Sequence, residues 1–544
     1  MLANYLSDLI SGKRQITATK LLFLLSLFFV AIYNIAFFRH ILAVYPLSPK
    51  NFYFLISLTA GITFVIFLLF TLITSAGGTK PILIFFLITS SVAAYFMDSY
   101  DVVIDHIMMQ NIAETDWSET YDLLNIKILY YLLLLGLLPS WFVYRVRITA
   151  ESLKKSIFRK IRDSFVAVLL IFAIILTFSR FYTSFFREHK PLRYYSNPGY
   201  YVYSFGKYIS QNFNLHKKTV SPLGLDAEAT EPTHDEQQKE LVILVVGEAA
   251  RADHFSLNGY PKETNPLLKK EDIISMSRVF SCGTSTAYSV PCMFSVFPRA
   301  EFSHSRGKAN ENVLDVLHHT GFVDILWRDN NSDSKGVALR VAYEDYSLPE
   351  NNTLCSDGEC RDEGMLVGLD QYIAEHQGRD ILIILHQMGN HGPAYYKRYP
   401  KAFEQFTPAC TTNQLEECTQ EEIINAYDNA LLYTDYFLSK VIDLLKKYDK
   451  NHETAMIYFS DHGESLGESG VYLHGLPYMI APESQKHIGA LMWFGDHFTK
   501  DIDVDSIQKK RDREYSHDNL FHTLLGLFEI KTEVYNRELD ILHD

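Results

Sequence analysis

The chain has 544 residues, six cysteines and a formal net charge of −14. That length exceeds one ordinary hydrophobic core and points to two domains. The acidic balance argues against a nucleic-acid partner and suits a soluble, acidic exterior domain.

Five apolar stretches reach or approach the length needed to cross a bilayer: residues 21–38, 52–74, 81–96, 128–144 and 165–182. With five crossings, three basic segments fall on one side: Lys13, Arg14 and Lys20; Lys80; and the dense loop with Arg145, Arg147, Lys154, Lys155, Arg159, Lys160 and Arg162. The positive-inside rule makes that side cytoplasmic, so everything after Tyr182 lies outside the inner membrane. A cleaved signal peptide is disfavoured, because the first span is long, no small-x-small site follows it, and further spans come after.

Between the third and fourth spans, residues 98–122 carry Ile104, Ile107, Met108 and Ile112 at helical spacing. They suit a short helix on the outer membrane surface, with Asn111 and Thr115, four apart, on one face. Residues 185–213 are rich in tyrosine, as at a membrane interface. Residues 216–239 turn polar, with Pro222, Pro232 and several acids, and read as a linker. The predicted organisation is a transmembrane domain over 1–182, an interfacial segment and linker over 183–239, and a catalytic domain over 240–544. In the last, strand-like runs alternate with helical patterns, predicting an α/β domain with a mainly parallel sheet. All six cysteines fall in this exterior part as three close couples, which fits disulfides formed in an oxidising compartment. No CxxC spacing supports a zinc–thiolate cluster.

Three apolar runs deliver acid and imidazole at their ends. Residues 241–246 lead into Gly247-Glu248, 381–385 into His386, Asn390 and His391, and 455–459 into Ser460-Asp461-His462-Gly463-Glu464. Strand ends of an open α/β sheet are where ligand sites form, and carboxylate with imidazole is a metal-binding donor set. A nucleophile is expected nearby. The segment 281–292 is rich in hydroxyls, contains Gly283 and runs into a helical stretch, so a hydroxyl there gains backbone donors suited to an anionic phosphate. Metal coordination would activate it. Spacing does not choose among Thr284, Ser285 and Thr286.

Several segments together closely resemble the lipid A phosphoethanolamine transferases, a family that includes the mobile colistin-resistance enzymes and belongs to the alkaline phosphatase-like superfamily. They are Gly247-Glu248 with Arg251, Asn258-Gly259-Tyr260, the segment 281–292, Trp327 to Gly336, His386 to Pro393, and Ser460 to Glu468 with Leu473-His474-Gly475. The resemblance spans almost the whole chain. It implies an α-helical five-span transmembrane domain plus an α/β alkaline phosphatase/sulfatase-like periplasmic domain, in the inner membrane of a Gram-negative bacterium. It implies a zinc ion held by Glu248, Thr286, Asp461 and His462, with Thr286 as nucleophile. His391 and His474 would flank it, binding phosphate or a second zinc. Asn331, Lys335 and Glu464 would contact the phosphoethanolamine group with Thr284 close by, and Asn111 and Thr115 would help hold the lipid donor. The family's disulfides map to Cys282–Cys292, Cys355–Cys360 and Cys410–Cys418. Two departures are visible: Ala249 replaces a frequent hydroxyl residue, and the Cys355–Cys360 loop is short.

The expected activity is transfer of phosphoethanolamine from phosphatidylethanolamine to a lipid A phosphate through a phosphorylated threonine, giving polymyxin and colistin resistance. A monomer is expected. The alternatives are transfer to Kdo or heptose of the lipopolysaccharide core, or glycerophosphate transfer, which the cysteine couples and acceptor-side motifs fit poorly. A sulfatase would need an Arg after its Ser-x-Pro, where this chain has Ser289-Val290-Pro291-Cys292-Met293.

Overall fold

The apolar runs of the first third all become helices. The computed structural model describes residues 14–75, 78–114, 125–187, 189–215, 220–230, 238–356, 358–500 and 502–543. Its N-terminal helices are α1 (Ala18–Tyr33), α2 (Ile35–Val44), α3 (Pro49–Ile73), α4 (Thr79–Tyr100), α5 (His106–Glu114), α6 (Ile126–Arg145) and α7 (Leu153–Thr177). Among the described residues α3, α4 and α6 are long and apolar enough to cross a membrane, and α1 with α2 make a fourth if taken as one bent span.

The first expected span is therefore broken. Its two halves meet at 65° around Asn34, whose buried amide donates to the carbonyls of Phe29 and Asn197 and accepts from the Asn197 N–H. A side chain offering the backbone these alternative partners competes with the helical ladder. The fifth expected span falls largely on α7, which carries Lys154, Lys155, Arg159, Lys160, Arg162 and Asp163 in its first half and is apolar only beyond them.

The chain divides into two compact units, one of residues 1–109 with 124–208, the other of 110–123 with 209–544. The second is built on a seven-stranded sheet of β1 (Lys239–Gly247), β2 (Ile274–Ser275), β3 (Val323–Asp329), β4 (Ala342–Asp345), β5 (Asp380–His386), β6 (His452–Ser460) and β7 (Ala490–Phe494). The spatial order is β2-β7-β6-β1-β5-β3-β4. From β6 to β4 all neighbours run parallel, and β7 and β2 add an antiparallel edge. The central strands are buried on both faces, which is why residues 241–246 and 381–385 are unbroken apolar runs rather than alternating ones. Burying each such valine or leucine contributes about 1.5–3 kcal/mol.

Two helices matter for the site. The short α8 (Thr286–Met293) follows the hydroxyl-rich loop, and the long α9 (Gln420–Tyr448) packs on β6. A reciprocal cap starts α9: Thr419 Oγ1 accepts the Glu422 N–H while the Glu422 carboxylate accepts the Thr419 N–H. Disulfides join Cys282 to Cys292, Cys355 to Cys360 and Cys410 to Cys418.

Candidate active site

Register brings the acid and imidazole ends together. Ser460 at the end of β6 pairs with Gly247 at the end of β1, so Asp461 and Glu248 emerge side by side. Gly247 is required there by space: a Cβ would lie 2.3 Å from the Tyr458 hydroxyl, which is buried under it. The next residue but one, Ala249, adopts a left-handed φ of 54°. That turn aims its N–H at Asp461 Oδ1 (3.1 Å), while the Tyr427 hydroxyl from α9 donates to its carbonyl (2.7 Å). Asp333, Lys335 and Leu473, in the loops leading to Lys335 and His474, are also left-handed, and such conformations cost about 1–3 kcal/mol each. Strain of this kind persists where surrounding contacts over-determine the geometry.

At the centre lies His462 Nε2. It is 3.3 Å from Glu248 Oε1, 3.3 Å from Asp461 Oδ2 and 3.3 Å from Thr286 Oγ1. Thr286 Oγ1 also donates to Glu248 Oε2 at 3.0 Å, an oxygen that accepts from Asn331 Nδ2 at 2.9 Å. Of the three candidate hydroxyls only Thr286, the first residue of α8, reaches this point. Thr284 is turned away to donate to the Leu476 carbonyl (2.6 Å), and the buried Ser285 hydroxyl has no hydrogen-bond partner among the described residues.

The other expected residues divide. The His474 ring lies 4.2 Å from that of His462, tilted 43° to it, and uses Nδ1 on Glu464 Oε2 (2.9 Å), which leaves Nε2 for a ligand. Ligand atoms of Glu248, His462 and His474 all lie within 4.8 Å of one another. His391 stands one ring further out, 6.1 Å from His474. Lys335 is nearly buried and donates to the carbonyl and hydroxyl of Ser332 within its own loop. Asn111 lies on α5, in the stretch grouped with the second unit. Thr115 lies outside the described residues.

Comparison with known proteins places the chain in a family. The family model for sulfatases matches residues 240–530, and that for phosphoethanolamine transferases EptA/EptB matches residues 62–213. Phosphatidylethanolamine transferase Mcr-2 of Escherichia coli is 45% identical over 93% of this chain and 94% of its own length. The chain belongs to the phosphoethanolamine transferases. Phosphoethanolamine transferase EptA of E. coli K12 is 40% identical over 95% of both chains. The structure of the integral membrane lipooligosaccharide phosphoethanolamine transferase A from Neisseria meningitidis superposes with a TM-score of 0.92 at 33% identity, over 97% of this chain and 99% of that one.

The donor set of this transferase fits a metal ion. Ligands 2.0–2.1 Å from a tetrahedral ion stand about 3.3 Å apart, the separation of His462 Nε2 from its three neighbours. His462 Nδ1 is 2.8 Å from the Gly463 carbonyl, which can only accept, so the proton is on Nδ1 and Nε2 offers a lone pair. A lone pair facing two carboxylates is repulsive without a cation among them. Glu248 Oε1 and Asp461 Oδ2 are buried and make no hydrogen bond. Without a cation there, the two carboxylates would instead hold the ring protonated on both nitrogens: burial alone would lower the His462 pKa, but Asp461 and Glu248 drive it up to about 10, and a bound cation would take the place of that second proton. Burial and the Glu248 charge push Asp461 up to about 6.

Sequence reading assigned no role to the residues that hold this corner. Register sets His386 beside Asp329 on β3, and their side chains meet at 2.9 Å, both fully buried. Asp329 also accepts from Trp327 Nε1 (2.8 Å) and from the backbone N–H groups of Asn331 (2.9 Å) and Asp333 (3.3 Å), which sets the loop that carries Asn331 onto Glu248. His517 ties the hydroxyl-rich loop to β6, accepting from the Cys282 N–H (3.0 Å) and donating to the Ser460 carbonyl (2.9 Å). Burial pushes its pKa down to about 4, so it is neutral. A lone histidine near the C-terminus carries no sequence signal, whereas Trp327-Arg328-Asp329 was part of a recognised segment.

Proposed function

We propose that the chain transfers phosphoethanolamine from phosphatidylethanolamine to a phosphate of lipid A by two successive displacements at Thr286. The observation that carries the reading is the convergence of the Thr286 hydroxyl with Glu248, Asp461 and His462 on one buried point, in a chain that belongs to this family. Glu248, Asp461, His462 and Thr286 would hold a zinc ion, whose borderline character suits two carboxylates, an imidazole and a hydroxyl oxygen. When bound, it lowers the hydroxyl pKa and offsets charge on the phosphoryl oxygens.

In the first displacement Thr286 Oγ1 bonds to the donor phosphorus, and the bond from phosphorus to the diacylglycerol oxygen breaks. The hydroxyl proton points at Glu248 Oε2, and Asn331 holds that carboxylate oxygen in place. His474, partly exposed at the mouth of the site and oriented by Glu464, or His391 beyond it, protonates the departing diacylglycerol oxygen. In the second, a lipid A phosphate oxygen bonds to the same phosphorus and the bond to Oγ1 breaks. Lys335 and Glu464 would meet the phosphate and the ammonium of the transferred group.

Both substrates are lipids, which explains the tether. A fifth crossing would begin in the second half of α7, which is apolar from Phe165 to Thr177, about 20 Å of helix, and would continue toward Tyr182. Beyond its basic half it exposes Phe165, Val168, Leu169, Phe172 and Leu176, as a lipid-facing helix would. The catalytic unit is then periplasmic. The product adds an ammonium to an anionic lipid head group and weakens attraction of cationic peptides such as polymyxins.

The test is mass spectrometry of lipopolysaccharide from cells expressing the chain or its Thr286→Ala variant. Phosphoethanolamine on lipid A with the first and not the second supports the reading. Modification confined to Kdo or heptose would overturn the acceptor, and unmodified material in both would overturn the activity.

A further inference from the structure

A second cavity, in the helical unit, is lined by cations that the proposed reaction does not use. It has a volume of about 630 Å³, and its wall includes Lys20, Lys154, Lys155, Arg159 and Arg162 against the single carboxylate of Glu151. Asp163, buried beside it, joins the two helices that form the wall: it accepts from Thr19 Oγ1 of α1 at 2.5 Å and from Arg162 Nη2 at 2.7 Å. Arg159 Nε is paired with Glu151 at 2.8 Å, but its buried Nη1 makes no hydrogen bond and lies 3.9 Å from Asp163. The ammonium groups of Lys20, Lys154 and Lys155 have no hydrogen bond or ion pair among the described residues. Like charges are gathered here faster than they are neutralised, around a space large enough for a phosphodiester.

One wall residue is apolar, and further apolar surface lies around the same helix. Leu153, Ile157 and Ile161 follow one another at four-residue spacing on α7, all at least half exposed, and Phe158, 69% exposed, itself lines the cavity. Cations around an exposed phenyl ring, on a helix whose circumference also carries an outward apolar row, suit an amphiphile better than a free anion. The site also lies at the basic end of the bundle, where Lys160 donates to Leu72 O at the end of α3 and Lys80 to Tyr144 O at the end of α6. We propose that this cavity holds the phosphate-bearing head group of an anionic phospholipid from the cytoplasmic leaflet, with Lys20, Lys155 and Arg162 on the phosphate and the acyl chains along α7. The inference takes from the proposed function only the membrane topology, not the chemistry.

The test is lipid titration of the purified, delipidated full-length protein by native mass spectrometry, with phosphatidylglycerol, phosphatidylethanolamine and inorganic phosphate as probes. One phosphatidylglycerol is expected to bind at least about tenfold more tightly than phosphatidylethanolamine. The variant Lys20→Gln/Lys155→Gln/Arg162→Gln should lose at least about tenfold, since each basic residue near an anionic lipid is worth about 1 kcal/mol. The variant Lys20→Arg/Lys155→Arg should bind as the natural protein does. A control with equal charge loss at the same end but outside the cavity, Lys80→Gln/Arg145→Gln/Arg147→Gln, should change affinity less than about twofold. Equal weakening by both triple variants would reduce the effect to bulk surface charge and overturn the proposal. So would the absence of a preference for phosphatidylglycerol, or one-to-one displacement of it by inorganic phosphate, which would make this a free-anion site. Lipid binding is read without turnover, so a protein that binds phosphatidylglycerol but transfers nothing would sink the proposed function and leave this inference standing.

Discussion

Replacing Asp329 by Asn tests whether the active-site loop is held from beneath. The carboxylate accepts four donors: Trp327 Nε1 and His386 Nδ1 on one oxygen, and the N–H groups of Asn331 and Asp333 on the other. An amide cannot accept on both sides. If its nitrogen takes the first position, the Trp327 indole N–H is orphaned; if the second, two backbone N–H groups are. Each lost hydrogen bond to a charged buried acceptor costs about 1.5–3 kcal/mol, so the substitution should destabilise by about 2–4 kcal/mol. For a unit of this size that lowers the Tm by roughly 3–5 °C. Asn331 is the next link, donating to Glu248 Oε2 and to the Gln387 carbonyl at 2.8 Å. Loosening it should slow phosphoethanolamine transfer about 10- to 100-fold, equivalent to about 1.4–2.7 kcal/mol of transition-state stabilisation. The assay is Tm by differential scanning fluorimetry in detergent, alongside initial transfer rates to lipid A. A variant that keeps both its Tm and its rate would refute the reasoning.

Gly247→Ala should overpack the strand end against Tyr458 and cost about 1–3 kcal/mol or more, measured as a Tm loss, with activity falling because Glu248 follows directly. Arg251 should govern acid stability. It pairs with Asp253 at 2.7 Å and with Glu468, and although burial alone would raise both carboxylates, the guanidinium holds them below their ordinary range. Groups with depressed folded pKa contribute stability above their unfolded values, about 3.9 and 4.3, and lose it as pH falls through the folded ones. The Tm of the natural protein should therefore drop more steeply below about pH 4 than that of Arg251→Gln, which lacks the pair at every pH. Removing the Cys282–Cys292 bridge by a double Ser substitution opens a loop of sequence separation 10 that contains Thr286. It should cost about 2–3 kcal/mol in Tm-derived stability and slow transfer.

The parts legible in the sequence were those written as local pattern. Residues 241–246, 381–385 and 455–459 announced doubly covered parallel strands by being apolar throughout, and their ends announced ligands. The choice among Thr284, Ser285 and Thr286 was not legible from spacing, because it depends on which hydroxyl α8 turns toward Glu248. The break of the first span was not legible either. Asn34 is one polar residue in an apolar run, and its partner, Asn197, is distant in sequence. His386 and Asp329 were each visible at a strand end, but their pairing required the register of β5 on β3. Tertiary neighbours decide what a side chain with two possible roles does, and periodicity carries no record of them.

The central claim is that Thr286 carries the transferred group. Intact-mass analysis of the purified protein after incubation with phosphatidylethanolamine, without acceptor, tests it most directly. The account requires a mass increase of one phosphoethanolamine that maps to the peptide containing Thr286 and disappears on adding lipid A. An adduct that persists in Thr286→Ala, or turnover with none at any time point in the natural protein, would contradict it.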